Sequence, residues 1–203
     1  RLEYRGYDSA GISIKKNDSI LERKIQGKLS NLINSLESNS IDGSIGIGHT
    51  RWATHGMPSD RNAHPHSSAK VSLVHNGIIE NASELKKDLI KNGYEFLSDT
   101  DSEVITALIT NLLDNGKSHI EAVKETIKML EGSYALAIIF TDLEGTLIGA
   151  KNGSPLVAGS NGISHFLGSD SLALTSLANR VCYLEDGDLA VLKADNIEIF
   201  DIN

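Results

Sequence analysis

The sequence predicts an α+β fold built mainly on antiparallel sheets, with helices packed outside two sheets that face one another. Three observations carry this. Short alternating segments recur along most of the chain and are joined by tight turns, helical periodicity is confined to its first half and middle, and strands and helices do not alternate as a parallel sheet would require.

In chain order, alternation at residues 11–15, 44–48 and 70–75 predicts half-buried strands. Leu29, Leu32, Ile33 and Leu36 keep helical spacing, and a second helix is expected to open at residues 81–84 and to end near Gly93. Thr100-Asp101-Ser102-Glu103 and Ser118 with Glu121 both have the form of a capping box. The third helix turns Val104, Ile105, Leu108, Ile109 and Leu112 to a core, and the fourth turns Ile120, Val123, Ile127 and Leu130. Further strands are expected at residues 134–140, 146–150, 155–159 and 164–168. The tail at 180–200 reads as two more, around turns at Asp186-Gly187 and Asp195-Asn196.

A chain of 203 residues with 40% hydrophobic residues suffices for one substantial core, and no linker or repeat divides it, so one domain over 1–203 is expected. A net charge of -8 argues against an extended surface for nucleic acid or anionic lipid. No apolar run approaches the roughly 20 residues of a membrane helix. The start, Arg1-Leu2-Glu3-Tyr4-Arg5, has neither a signal peptide's apolar core nor a Met, so a missing front segment is expected. The single cysteine, Cys182, excludes an internal disulfide and suits a cytoplasmic protein.

Five of the seven histidines, His49, His55, His64, His66 and His75, crowd between residues 49 and 76. His64-Pro65-His66 resembles a pair of imidazole ligands, but no carboxylate or thiol stands at a metal-site spacing beside it. We therefore expect no metal and no cofactor, and read His49, His64, His66 and His75 as hydrogen-bonded structural imidazoles in loops. The segment at 49–56 holds Arg51, Trp52, Thr54 and His55 before Gly56. It could clamp a carboxylate, or be a surface loop with a solvated Arg and a packed Trp. Asn76-Gly77 after a strand is a hairpin-turn signal, or else a side-chain amide and a backbone amide aimed at a developing oxyanion. Cys182, before a turn, reads as a buried strand thiol with no base paired to it.

Leu2-Glu3-Tyr4-Arg5-Gly6-Tyr7-Asp8-Ser9-Ala10-Gly11-Ile12, the 49–56 segment, Asn62-Ala63-His64-Pro65-His66, the 75–81 segment and Ser98-Asp99-Thr100-Asp101-Ser102-Glu103 occur together and in order. This series resembles the glutaminase domain of the glutamine:fructose-6-phosphate amidotransferases, which are class II glutamine amidotransferases. The resemblance spans nearly the whole chain and implies a four-layer αββα sandwich of the N-terminal nucleophile hydrolase type. It implies that an N-terminal Cys, absent from these residues, attacks the glutamine carboxamide, with Arg5 and Gly6 beside it and Asn76 and Gly77 as the oxyanion hole. It further implies that Arg51 binds the α-carboxylate of L-glutamine and Asp101, with Gly77 nearby, its α-ammonium, while Trp52, Thr54 and His55 lie in a closing loop. Glutamate and ammonia would result, the ammonia passing to a sugar-isomerising synthase domain that these residues do not contain, in a homo-oligomeric parent. On this reading the 203 residues alone are inactive. The alternatives are a glutamine-binding module without chemistry, an interaction domain, or the glutaminase domain of another class II amidotransferase.

Overall fold

The computed structural model describes residues 3, 6–53 and 56–202. Its elements in order are β1 (Ser9–Lys16), β2 (Ser19–Gln26), α1 (Leu29–Ser38), β3 (Ile45–Arg51), β4 (His66–Ser67), β5 (Val71–Ile79), α2 (Ala82–Lys91), α3 (Ser102–Asp114) and α4 (His119–Met129). There follow β6 (Gly132–Phe140), β7 (Leu147–Asn152), β8 (Val157–Ser160), β9 (His165–Gly168), α5 (Ser171–Leu174), β10 (Arg180–Tyr183), β11 (Asp188–Leu192) and β12 (Ile197–Asp201). The strands form a six-stranded sheet in the order β12-β11-β7-β6-β5-β4 and two three-stranded sheets, β2-β1-β3 and β10-β8-β9. Every pairing described is antiparallel. The fold is α+β.

The alternation of side chains along each strand sorts these parts into layers. In β6, Leu136, Ile138 and Phe140 join Val71 and Leu73 of β5 in a core with Ile105 and Ile109 of α3 and Val123 and Ile127 of α4. Ala135, just before Leu136, faces the other way, into a second core with Leu156, Ala158, Leu184, Ala190 and Leu192. Helices thus cover one face of the large sheet, and the small sheets meet the other.

The β1 strand shows the same sorting. Ser13 accepts a hydrogen bond from Ser72 of β5 (2.9 Å), and the Lys15 ammonium donates to the carbonyl of Thr141, so the odd residues face the large sheet. Ile12 points the opposite way with its cross-strand neighbour Arg23, whose guanidinium donates to Ser35 of α1 (2.7 Å). The layers therefore run α1, small sheet, large sheet, α2 to α4. Among the described residues, no helix is long and apolar enough to cross a membrane.

Most expected elements are present, and the exceptions have local causes. Asn76-Gly77 is not a hairpin turn: β5 continues through it, pairing Asn76 with Ala135 and Gly77 with Tyr134. The tail holds three strands rather than two, because the turn at Asp186-Gly187 carries the chain from β10 in one sheet to β11 in another. The capping box at α4 forms as expected between Ser118 and Glu121. The one at α3 does not. Asp101 is the N-cap and makes no side-chain cap bond, while Glu103 turns back to accept the amides of Leu97 (2.8 Å) and Ser98 (2.6 Å).

Candidate active site

Three elements meet at one cavity of about 750 Å³ between the large sheet and β3. Arg51 and Trp52 enter it from the end of β3, Asn76 and Gly77 from β5, and Asp101 from the start of α3. Five residues expected at a glutamine site thus share one space.

Arg51 is an odd-numbered residue of β3 on the register of Ser9, so strand geometry turns it inward toward the large sheet. It is 4% exposed, and its guanidinium donates to the carbonyl of Gly56 (3.0 Å). Burial lowers its pKa, while the charges of Asp8 and Asp101 act in the opposite direction. Trp52 is 59% exposed, its ring centroid 5.6 Å from that of the exposed Tyr7. A solvated Arg and a packed Trp, the bland reading of this segment, is thus the reverse of what forms.

Asn76 faces the cavity because its partner on β6 is Ala135, on the face away from α3, whereas His75 is paired with Leu136 on the helix side. Gly77 has φ of +147°, and a Cβ there would overlap the carbonyl oxygen of Ser133. Only glycine lets β5 and β6 close at this point.

Asp101 accepts the amide of Ile79 (2.8 Å) on one carboxylate oxygen and the Ser102 hydroxyl (3.4 Å) on the other. A carboxylate at the start of a helix could be explained by the helix dipole alone. This one instead reaches back to the strand that carries Asn76.

Gly6 is buried and lies against the backbone of Thr50 and Arg51, without lining the cavity. Arg5, Thr54 and His55 lie outside the described residues.

The histidines are not loop residues as expected, apart from His64. His49, His66 and His75 stand on β3, β4 and β5. They group around His64 in tilted and edge-on contacts: its ring centroid lies 4.4 Å from that of His49, 4.7 Å from that of His66 and 6.5 Å from that of His75. His66 is bonded to Thr100 (3.0 Å) and His75 to Ser102 (2.8 Å). Neither nitrogen of His64, nor Nδ1 of His49, has a hydrogen-bond partner among the described residues, so the hydrogen-bonded reading fails for His64. Burial, reinforced by neighbouring positive groups, lowers the pKa of His49 to about 4 and that of His66 to about 3. Burial also pushes His64 well below its ordinary value and lowers His75, where Asp101 opposes the shift. Among the described residues, no three His, Cys, Asp or Glu side chains are arranged to hold a metal ion.

Cys182 sits on β10 as expected of a strand residue, but it is exposed, not buried, and does not line the cavity. β10 is an edge strand whose four residues are all exposed.

Two parts of the site escaped the sequence reading. Asp8 holds the base of the 49–56 segment, accepting the amide of Ala53 (2.7 Å), while its own amide donates to the Arg51 carbonyl (3.1 Å). Asn62 clasps the far side, its side-chain amide donating to the carbonyl of Met57 (2.9 Å) and its side-chain oxygen accepting the amide of Asp99 (2.9 Å). Both lie within motifs visible in the sequence, but their partners are distant in the chain or are backbone groups, which no spacing reveals.

A family model described as a glutamine amidotransferase domain matches residues 49–176. The glutamine–fructose-6-phosphate aminotransferase (isomerizing) of Mesorhizobium japonicum is 50% identical over all 203 residues, and that of Gluconobacter oxydans 51%. The chain spans 33% of the length of each of these relatives. Among solved structures, glutamine phosphoribosylpyrophosphate amidotransferase from B. subtilis superposes with a TM-score of 0.83 at 26% identity, covering the whole of this chain and 44% of the other.

Proposed function

The chain belongs to the class II glutamine amidotransferase domain family, and from that premise we propose that it is a glutaminase module reading both charges of L-glutamine. The observation that carries this is the meeting of Arg51, Asp101, Asn76 and Gly77 at one cavity. Arg51 takes the α-carboxylate in a two-bond fork, for which a guanidinium is shaped. Asp101 takes the α-ammonium. The side-chain amide of Asn76 and the backbone amide of Gly77 then stabilise the oxyanion formed when the carboxamide is attacked. Trp52, with Thr54 and His55, covers the bound amino acid.

The attacking thiolate, on this reading, is an N-terminal Cys outside these 203 residues, beside Arg5 and Gly6. Cys182 does not serve, being exposed on an edge strand away from the cavity. We further propose that the longer protein passes the ammonia to a sugar-isomerising domain that converts fructose 6-phosphate to glucosamine 6-phosphate. The named relatives, three times as long as this chain, support that step.

Calorimetric titration of the chain tests the site with three ligands: L-glutamate, glutarate (no ammonium) and 4-aminobutyrate (no α-carboxylate). L-Glutamate should bind tightest. Arg51→Ala should cost L-glutamate and glutarate about 3 to 5 kcal/mol, the scale for removing one partner of a buried ion pair, and should spare 4-aminobutyrate. Equal affinity of the wild-type chain for all three ligands would sink the reading. Glutamate release from glutamine that disappears in Cys182→Ser would show the nucleophile to be misplaced.

A further inference from the structure

We propose that His75 and Ser102 are positioning residues that set the Asp101 carboxylate through a directed chain of hydrogen bonds; this rests on Asp101 being the ammonium-binding group proposed above. The chain is drawn by three distances. Nδ1 of His75 lies 2.8 Å from Oγ of Ser102, Oγ of Ser102 lies 3.4 Å from Oδ1 of Asp101, and Nε2 of His75 lies 3.4 Å from the carbonyl oxygen of Ser133.

A neutral imidazole has one N–H, so only one of two arrangements can hold. With the proton on Nδ1, His75 donates to Ser102 over the short contact, and the Ser102 hydroxyl is free to donate to Asp101. With the proton on Nε2, the ring donates to Ser133 over a long contact and takes the Ser102 proton for itself, leaving Oδ1 of Asp101 without that donor. The first arrangement leaves Nε2 bare opposite the Ser133 carbonyl at 3.4 Å, but it gives the half-buried Asp101 carboxylate a charge-assisted donor and keeps the short 2.8 Å bond, and a bond to an ionised acceptor outweighs an equally long one to a neutral carbonyl. His75 is 3% exposed, so its ring is largely shielded from bulk solvent.

What the chain accomplishes is orientation. The amide of Ile79 holds Oδ2 of Asp101 at 2.8 Å and Ser102 holds Oδ1, so the plane of the carboxylate is fixed from two sides. The Asp101 carboxylate caps none of the free amides of α3; its one bond to that helix is from the Ser102 hydroxyl. Because His75 adjoins Asn76 on β5, the same ring ties the carboxylate to the strand that carries the oxyanion donors. The two halves of the site are thereby held in one geometry, which matters because a bound substrate must reach both at once.

The test is the tautomer. In the ¹⁵N-histidine-labelled chain at neutral pH, NMR should show His75 protonated at Nδ1 and bare at Nε2. Ser102→Ala should move the proton to Nε2, and Ser102→Thr, which keeps the hydroxyl, should restore the wild-type pattern. L-Glutamate affinity should fall about tenfold in Ser102→Ala, the scale of one bond to a charged group, with glutarate unaffected and the Thr variant recovering. An Nε2–H tautomer in the wild-type chain, or equal loss for both ligands, would overturn the proposal. A wild-type chain that does not prefer L-glutamate over glutarate would instead remove the ammonium-binding role of Asp101, and the purpose of the relay with it, whatever the tautomer.

Discussion

The carboxylate of Asp8 accepts the backbone amide of Ala53 at 2.7 Å, fastening the start of β1 to the segment that follows Arg51. Nothing in the β-ladder does this, since β3 ends at Arg51. Asp8→Ala should therefore weaken L-glutamate binding and cost about 1 to 3 kcal/mol of stability, the range for stranding a partly buried donor. Asp8→Asn keeps an acceptor oxygen and should lose less of both. Urea denaturation and calorimetry on the two variants check the order.

Two glycines with positive φ separate strain from collision. Gly93 has φ of +88° and open space where a Cβ would sit, whereas Gly77, at +147°, would drive a Cβ into Ser133. Gly93→Ala should cost about 1 kcal/mol, the price of the conformation alone. Gly77→Ala should cost severalfold more, because β5 and β6 must part to admit it. If the two variants unfold at the same denaturant concentration, the close approach at Gly77 is wrong.

The histidine cluster predicts acid sensitivity. His49 and His66 stay neutral in the fold down to about 4 and about 3, while the unfolded chain takes up their protons near 6.5. Stability from these groups is thus fully present above pH 6.5 and is lost as pH falls toward 4, at roughly 1 kcal/mol per pH unit for each imidazole. His64 and His75 shift in the same direction and steepen the slope. The midpoint of urea unfolding should fall from pH 7 to pH 5, and His49→Gln should flatten that dependence. A midpoint independent of pH over this interval would refute the buried neutral state.

In a protein carrying the N-terminal Cys, Asn76→Ala should lower kcat for glutamine roughly a hundredfold or more and leave KM nearly unchanged, since an oxyanion donor acts in the transition state. A loss confined to KM would make Asn76 a ground-state binding residue.

How far the sequence carried these conclusions depends on what each residue faces. The helix α4 was legible because its buried residues, Ala122, Val123, Thr126 and Ile127, keep helical spacing, whereas α3, buried without a break from Val104 to Ile109 between the sheet and α2, was legible from its apolar residues rather than from one buried stripe. β2 was not: Glu22, Arg23 and Lys24 interrupt it, and most of its residues are half-buried on both faces, so no alternation shows. β4 is only two residues long, too short for any pattern. Asn76-Gly77 misled because the dipeptide's turn preference is local, whereas pairing with Ala135 and Tyr134 is decided across the sheet. The identities of Arg51 and Asp101 were readable as motif residues. The supports were not, because Ile79 offers only a backbone amide to Asp101, and Asp8 and Ser102 act through partners that leave no mark in composition.

The order of strands in the large sheet also bears on how the chain assembles. β4 with β5, β6 with β7, and β11 with β12 are each neighbours in sequence as well as in space, so the sheet consists of three local hairpins. Hairpins of this kind close in about 1 to 10 μs. The seams between them, β5 to β6 and β7 to β11, span the segment bearing α2 to α4 and the segment bearing β8 to β10. Those long-range pairings are the slow events, since loop closure must precede any return from the contacts. Asn76 and Gly77 lie on the first seam. The oxyanion donors proposed above therefore acquire their geometry only when distant hairpins dock, and a kinetic probe placed at Gly77 would report the late phase of folding.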